Sequence, residues 1–152
     1  RLMGGRHVRD NLVRLFEQVA LSLMLRNGDA HLKNFGLLYD DPDHPWLSPV
    51  FDLVTTAIYR TERPGGGMHV DRTMALKLRR GPRGASRAYP TTDELQTFGR
   101  ECCGVRDPAA VIERLAEGMR QALLAAANDE RIERGLWQSM REQWALGVAY
   151  AR

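Results

Sequence analysis

The stretch LRNGDAHLKNFGLL, residues 25–38, sets Asn27, Asp29, His31, Lys33 and Asn34 between two apolar runs. A plain turn needs one or two side chains that can bond to nearby backbone. Five in one loop mark a candidate site. Upstream, Leu12, Phe16, Val19, Ala20 and Leu23 recur at three- and four-residue spacing, which predicts a helix from an Asp10 N-cap to about Arg26. Asn27-Gly28 then supplies a left-handed stop. Downstream, NFGLLYD (34–40) reads as a strand and DDPDHP as a turn, and WLSPVFDLVTTAIY (46–59) starts extended. ERPGGGMHVDR reads as a flexible loop, and TMALKLRR as a short alternating strand.

The character changes near Pro90. Thr91 with Glu94 three residues on makes a capping box for a helix to about Cys103. Asp107-Pro108 is an N-cap followed by proline at the first helical position. Ile112, Leu115, Met119, Ala122 and Leu123 form the stripe of that helix, and Ile132, Leu136, Met140 and Trp144 share a face of the last. The expected architecture is mainly α. A helix and a few short β-strands around the polar loop occupy residues 10–80, and a helical tail occupies 90–152.

The composition is that of a globular protein, 43% hydrophobic and 27% charged over 152 residues, enough for one cored domain. A net charge of +3 is compatible with acidic partners or phosphates. No predicted helix carries a basic stripe, so no direct nucleic-acid contact is expected, and the one dense cluster, KLRRGPRGASR (77–87), reads as a solvated loop. The adjacent Cys102 and Cys103 cannot frame a secreted scaffold and lack zinc-knuckle spacing, which fits reduced thiols in a cytoplasmic, bacterial-type protein. No run is long enough to span a bilayer, and no signal peptide opens the chain. His7, His44 and His69 are too scattered for a zinc site, and Ser48 and Ser86 lack a paired His-Asp arrangement. Trp137 and Trp144, seven residues apart, read as core or a docking face. The opening RLMGGRHVRD, without an initiator methionine, reads as the middle of a longer protein.

Asp29 and Asn34 form Asp-x-x-x-x-Asn, the spacing of a protein-kinase catalytic loop. An aspartate there accepts the hydrogen bond of the attacking hydroxyl, and an amide oxygen five residues later holds magnesium without adding charge. A second carboxylate is needed on the element that follows, and SPVFDLV offers Asp52 behind Val50 and Phe51. With ten Asp and four Asn, the spacing alone arises by chance in roughly one such chain in four, so it is weak by itself. The competing reading is a helix-to-strand connection whose polar groups bond to local backbone.

The full string carries more. NGDAHLKNFGLLY, followed by LSPVFDLVTT and then MALKL, closely resembles the HipA family of serine/threonine kinases, the toxins of bacterial toxin–antitoxin pairs. The likeness runs from about Asp10 through TTDELQTFGRECC to the end of the tail. It implies a protein-kinase-like C-lobe that transfers the γ-phosphoryl of ATP to a protein hydroxyl. By motif position it makes Asp29 the catalytic base, Asn34 and Asp52 the Mg²⁺ ligands, and His31 and Lys33 contacts near the ATP phosphates. A His31 that orients the loop internally fits the same position. The family also implies a protein substrate such as an aminoacyl-tRNA synthetase and an antitoxin-like DNA-binding partner. The family's ATP-covering loop and phosphate-gripping lysine have no match here. PGGGMH lacks the required glycine spacing, and Lys77 lies downstream of the catalytic loop. An N-lobe is therefore expected in cis or in trans. The alternative is a non-catalytic remnant that acts as an interaction module.

Overall fold

The computed structural model describes residues 6–41, 43–62, 65–70, 72–81 and 84–152. Among them are four α-helices: α1 (Arg6–Met24), α2 (Thr92–Thr97), α3 (Pro108–Ala127) and α4 (Arg134–Val148). Three antiparallel two-stranded ribbons lie between α1 and α2. They pair β1 (Leu37–Leu38) with β2 (Trp46–Leu47), β3 (Thr61–Glu62) with β4 (Met68–His69), and β5 (Arg79–Gly81) with β6 (Gly84–Ser86). The chain is mainly α, as expected.

Helix α1 runs through the core. Phe16, Val19, Ala20 and Leu23 of the predicted stripe are buried, with Met24 beside them, against Leu95, Ile112, Ala116 and Met74. The fully buried Phe16 meets a close neighbour in Gly99, where a Cβ would lie 2.7 Å from the ring. Gly99 belongs to a π-turn, Phe98–Cys102, that extends α2 and brings its backbone down onto α1.

The predicted caps form where the sequence places them. Thr91 N–H donates to Glu94 Oε2 at 2.7 Å, and Glu94 N–H to Thr91 Oγ1 at 3.3 Å. Asp107 Oδ1 accepts from Ala110 N–H at 3.0 Å ahead of Pro108. Each cap offsets helix-end groups that lack an intrahelical partner.

Several expectations are corrected. Asp10 lies inside α1, which already runs from Arg6, so it caps nothing. The left-handed residue after α1 is Arg26 (φ 59°), and Asn27-Gly28 follows the stop instead of making it. Of the strand read over 34–40, only Leu37–Leu38 pairs, because Asn34 is drawn into a 3₁₀ turn, Leu32–Asn34. The glycine-rich loop is the turn of the β3–β4 hairpin, with Gly65, Gly66 and Gly67 at positive φ. Within TMALKLRR, Thr73–Leu78 is not strand; pairing starts at Arg79, so the basic cluster read as a loop carries the β5–β6 ribbon. Ile132 precedes α4, and Leu136 stays 43% exposed, which leaves Met140 and Trp144 as the half-buried part of that stripe. Among the described residues, no helix is long and apolar enough to cross a membrane.

Candidate active site

The polar loop leaves α1 and is gripped from three directions. Gly28 is its fulcrum. Its N–H donates to Thr56 Oγ1 at 2.7 Å, and its carbonyl accepts from Ala75 N–H at 2.7 Å. A Cβ here would lie 2.5 Å from the Thr73 carbonyl, so only glycine admits so close a backbone. Thr56 sits in a 3₁₀ turn, Thr56–Ile58, and its hydroxyl also donates to Arg26 O at 3.3 Å.

Asn27 makes the second grip. Its side chain is 2% exposed; a buried amide must find partners or cost the desolvation of each unpaired group. It finds two. Oδ1 accepts from Asp29 N–H at 3.2 Å, and Nδ2 donates to Asp52 O at 3.3 Å. One side chain thus ties the backbones of Asp29 and Asp52 together, although they lie 23 positions apart (52 − 29). Asp52 is held in a left-handed conformation at φ 53°. The conformation is costly for most side chains, but aspartate tolerates it better than most.

The third contact joins two predicted ligands directly. Asn34 Nδ2 donates to Asp52 Oδ2 at 2.7 Å, and Asn34 Oδ1 accepts from His31 N–H at 2.9 Å. Asn34 is buried, so its amide is fixed from both ends, while Asp52 is exposed. Asp29 and Lys33 are exposed, and no side-chain bond engages the Asp29 carboxylate among the described residues. His31 is half-buried. Its Nδ1 is buried without a hydrogen-bond partner, while its backbone holds Asn34 at both N–H and carbonyl.

The donor set suits a hard cation. The ligating atoms of Asn34 and Asp52 are oxygens: Asp52 Oδ1 is not bonded to Asn34, while Asn34 Oδ1 already accepts from His31 N–H and would have to serve a cation with its second lone pair. Magnesium binds through one or two carboxylates together with substrate phosphates and water. Asn34 and Asp52 are the residues that would hold it. No group of three or more His, Cys, Asp or Glu side chains among the described residues forms a self-sufficient metal cage.

Thr56 escaped the sequence reading, where it looked like one β-branched residue among several. Asn27 was singled out there, and its bond to Asp29 N–H is the local kind the competing reading expects, but its second partner, Asp52, and Thr56's partner, Gly28, lie 25 and 28 positions away.

Comparison with known proteins shows the family. Residues 1–126 match the model of the HipA-like C-terminal domain. The chain belongs to that family. The matched span ends within α3. "Putative kinase Y4mE" of Sinorhizobium fredii (strain NBRC 101917 / NGR234) is 31% identical over 101 residues, 66% of this chain and 21% of its own length. "Putative kinase Y4dM" of the same organism is 32% identical over 76 residues, 50% of this chain and 19% of its own length. A "Putative kinase" of Haemophilus influenzae (strain ATCC 51907 / DSM 11121 / KW20 / Rd) is 36% identical over 45 residues, 30% of this chain and 13% of its own length. The chain spans about a fifth of the length of the first two relatives.

Proposed function

We propose that this HipA-like domain is the C-terminal lobe of a serine/threonine protein kinase, the toxin of a toxin–antitoxin pair, acting with an N-lobe. The carrying observation is the 2.7 Å bond that joins Asn34 to Asp52 at the foot of the loop presenting Asp29. Asp29 accepts the hydrogen bond of a serine or threonine hydroxyl and orients its oxygen toward the γ-phosphorus of ATP. The new O–P bond forms as the bond from that phosphorus to the β,γ-bridging oxygen breaks. The hydroxyl proton passes to Asp29, and ADP leaves. Bound magnesium supplies charge neutralisation for the phosphates. Asn34 and Asp52 would hold it, and Lys33 and His31 would contact the phosphates. Such catalysis is mostly positioning and electrostatic stabilisation, which suits a loop so thoroughly tied. The protein substrate fits a translation component such as an aminoacyl-tRNA synthetase, and the regulatory partner an antitoxin-like DNA-binding protein.

The test is a pair of substitutions in a protein that joins this chain to its N-lobe. Asp29→Asn should lower phosphoryl transfer by about a hundredfold to ten-thousandfold while Mg²⁺-ATP binding stays nearly intact. Asp52→Asn removes a metal-binding charge and should weaken Mg²⁺-ATP binding as well as turnover. Calorimetric titration beside a radiolabel transfer assay separates the two. Wild-type transfer in both variants would sink the kinase reading.

A further inference from the structure

Helix α4 lies outside the span matched by the family model, yet it touches the catalytic loop's supports at two places. The first is Trp144, half-buried, whose indole N–H donates to Thr55 Oγ1 at 2.8 Å. Thr55 is 8% exposed, and an indole can only donate, so each group satisfies the other away from water. The second is Gly147. A Cβ there would lie 1.8 Å from the Met24 carbonyl, so α4 rests directly on the last turn of α1, which feeds the loop.

Thr55 and Thr56 are neighbours whose hydroxyls serve opposite sides. Thr55 faces α4, and Thr56 bonds Gly28 N–H and Arg26 O at the loop's entrance.

We infer that α4 positions the Asp29 loop through a Trp144–Thr55–Thr56–Gly28 relay, so that Trp144 and Thr56 are positioning residues for phosphoryl transfer. The catalytic part of this inference rests on the kinase reading; the mechanical part does not. Thr56→Val keeps the shape and deletes both loop bonds. Trp144→Phe keeps an aromatic ring and deletes the N–H. Thr56→Ser restores the hydroxyl.

Amide hydrogen exchange on the full 152-residue chain reads the mechanical part. Losing one net hydrogen bond corresponds to roughly a five- to tenfold rise in exchange at the Gly28 amide for Thr56→Val. Trp144→Phe, one step further away, should give about a threefold rise. Ala116 in the middle of α3 should be unchanged in both, and Thr56→Ser should return Gly28 to the wild-type rate. An unchanged Gly28, or an equal rise at Gly28 and Ala116, overturns the relay, because the second result would mean general stability alone.

In the chain joined to its N-lobe, Thr56→Val should lower kcat about tenfold or more with KM for ATP unchanged, as expected for lost positioning. Faster Gly28 exchange with an unaltered kcat overturns the catalytic role. If the wild-type protein transfers no phosphate at all, the kinase reading fails, and the exchange result still decides whether α4 holds the loop.

Discussion

Arg26 and Asp52 adopt left-handed backbone on either side of the buried Asn27, at φ 59° and 53°. Each conformation costs on the order of 1–3 kcal/mol outside glycine, so both persist only because the surroundings fix them. For Arg26 the fixing includes a guanidinium stacked 3.6 Å from the Tyr89 ring centroid and a carbonyl bonded by Thr56. Asn34 and Asp52, which the structure brings together, were picked out in the sequence by weak spacing and by the family resemblance, as was Asp29. The strain was not legible, since no local signal marks an arginine that must turn left-handed. At the rim, a different pair lends itself to titration. His44 Nδ1 and Asp41 Oδ2 lie 2.5 Å apart in the turn between β1 and β2. The Asp41 hydrogen bond raises the His44 pKa, and the same bond lowers that of Asp41. A raised histidine contributes fully below its ordinary value of 6.5 and loses that contribution as pH rises through the folded value. A lowered carboxylate contributes fully above its ordinary 3.8 and loses it as pH falls through the folded value. The turn is therefore held best between those two ordinary values. Asp41→Asn should bring the His44 titration, followed by NMR of its ring protons, back toward 6.5; an unmoved titration would refute the coupling.

Helices were far easier to read than strands. The stripe of α1 and the caps at Thr91 and Asp107 are local features that recur in the structure, as does the α3 stripe at Ile112, Leu115 and Met119, whereas Ala122 of that stripe is exposed. The ribbons are two or three residues per strand, too short for an alternation to declare itself, and β5–β6 formed where the end of the strand read over TMALKLRR overlaps a basic cluster read as loop. Helix α4 was misjudged at Leu136 because a stripe predicts one buried face along its whole length, whereas burial here concentrates toward Trp144 and Gly147. Two glycines test what α4 contributes. In Gly147→Ala the new methyl must displace the Met24 backbone or α4 itself, and overpacking of this kind costs about 1–3 kcal/mol. Gly118 lies in the middle of α3 with nothing within 4 Å of a Cβ. Gly118→Ala should stabilise the chain by about 0.5–1 kcal/mol through helix propensity and reduced unfolded-state entropy. Thermal melts of both variants check the contrast, and a Gly147→Ala as stable as the parent would remove the close contact from the account.

At the scale of the molecule, exposed apolar side chains lie in and after the polar loop. Leu37 and Leu38 are 40% and 41% exposed, Phe51 is 47% exposed, and Leu32 is 80% exposed. The relatives are about five times the matched length, and the proposed kinase activity requires an N-lobe. The 152 residues alone should accordingly bind Mg²⁺-ATP weakly and transfer no phosphate, with turnover appearing once an N-lobe is supplied. Robust autophosphorylation by the isolated chain would contradict this. The relay from Trp144 has one more consequence, which concerns the order of synthesis. Trp144 meets Thr55 across 89 positions, so the loop's outermost support is among the later parts of this chain to be made. At about 5–20 residues per second, a ribosome that has just released Asp29 works for roughly ten seconds before Trp144 emerges. During that interval the nascent chain carries every proposed ligand in sequence and none of the bracing supplied by α4. A messenger cut short ahead of the Trp144 codon would yield a polypeptide that has the proposed ligands and lacks the brace proposed to aim them.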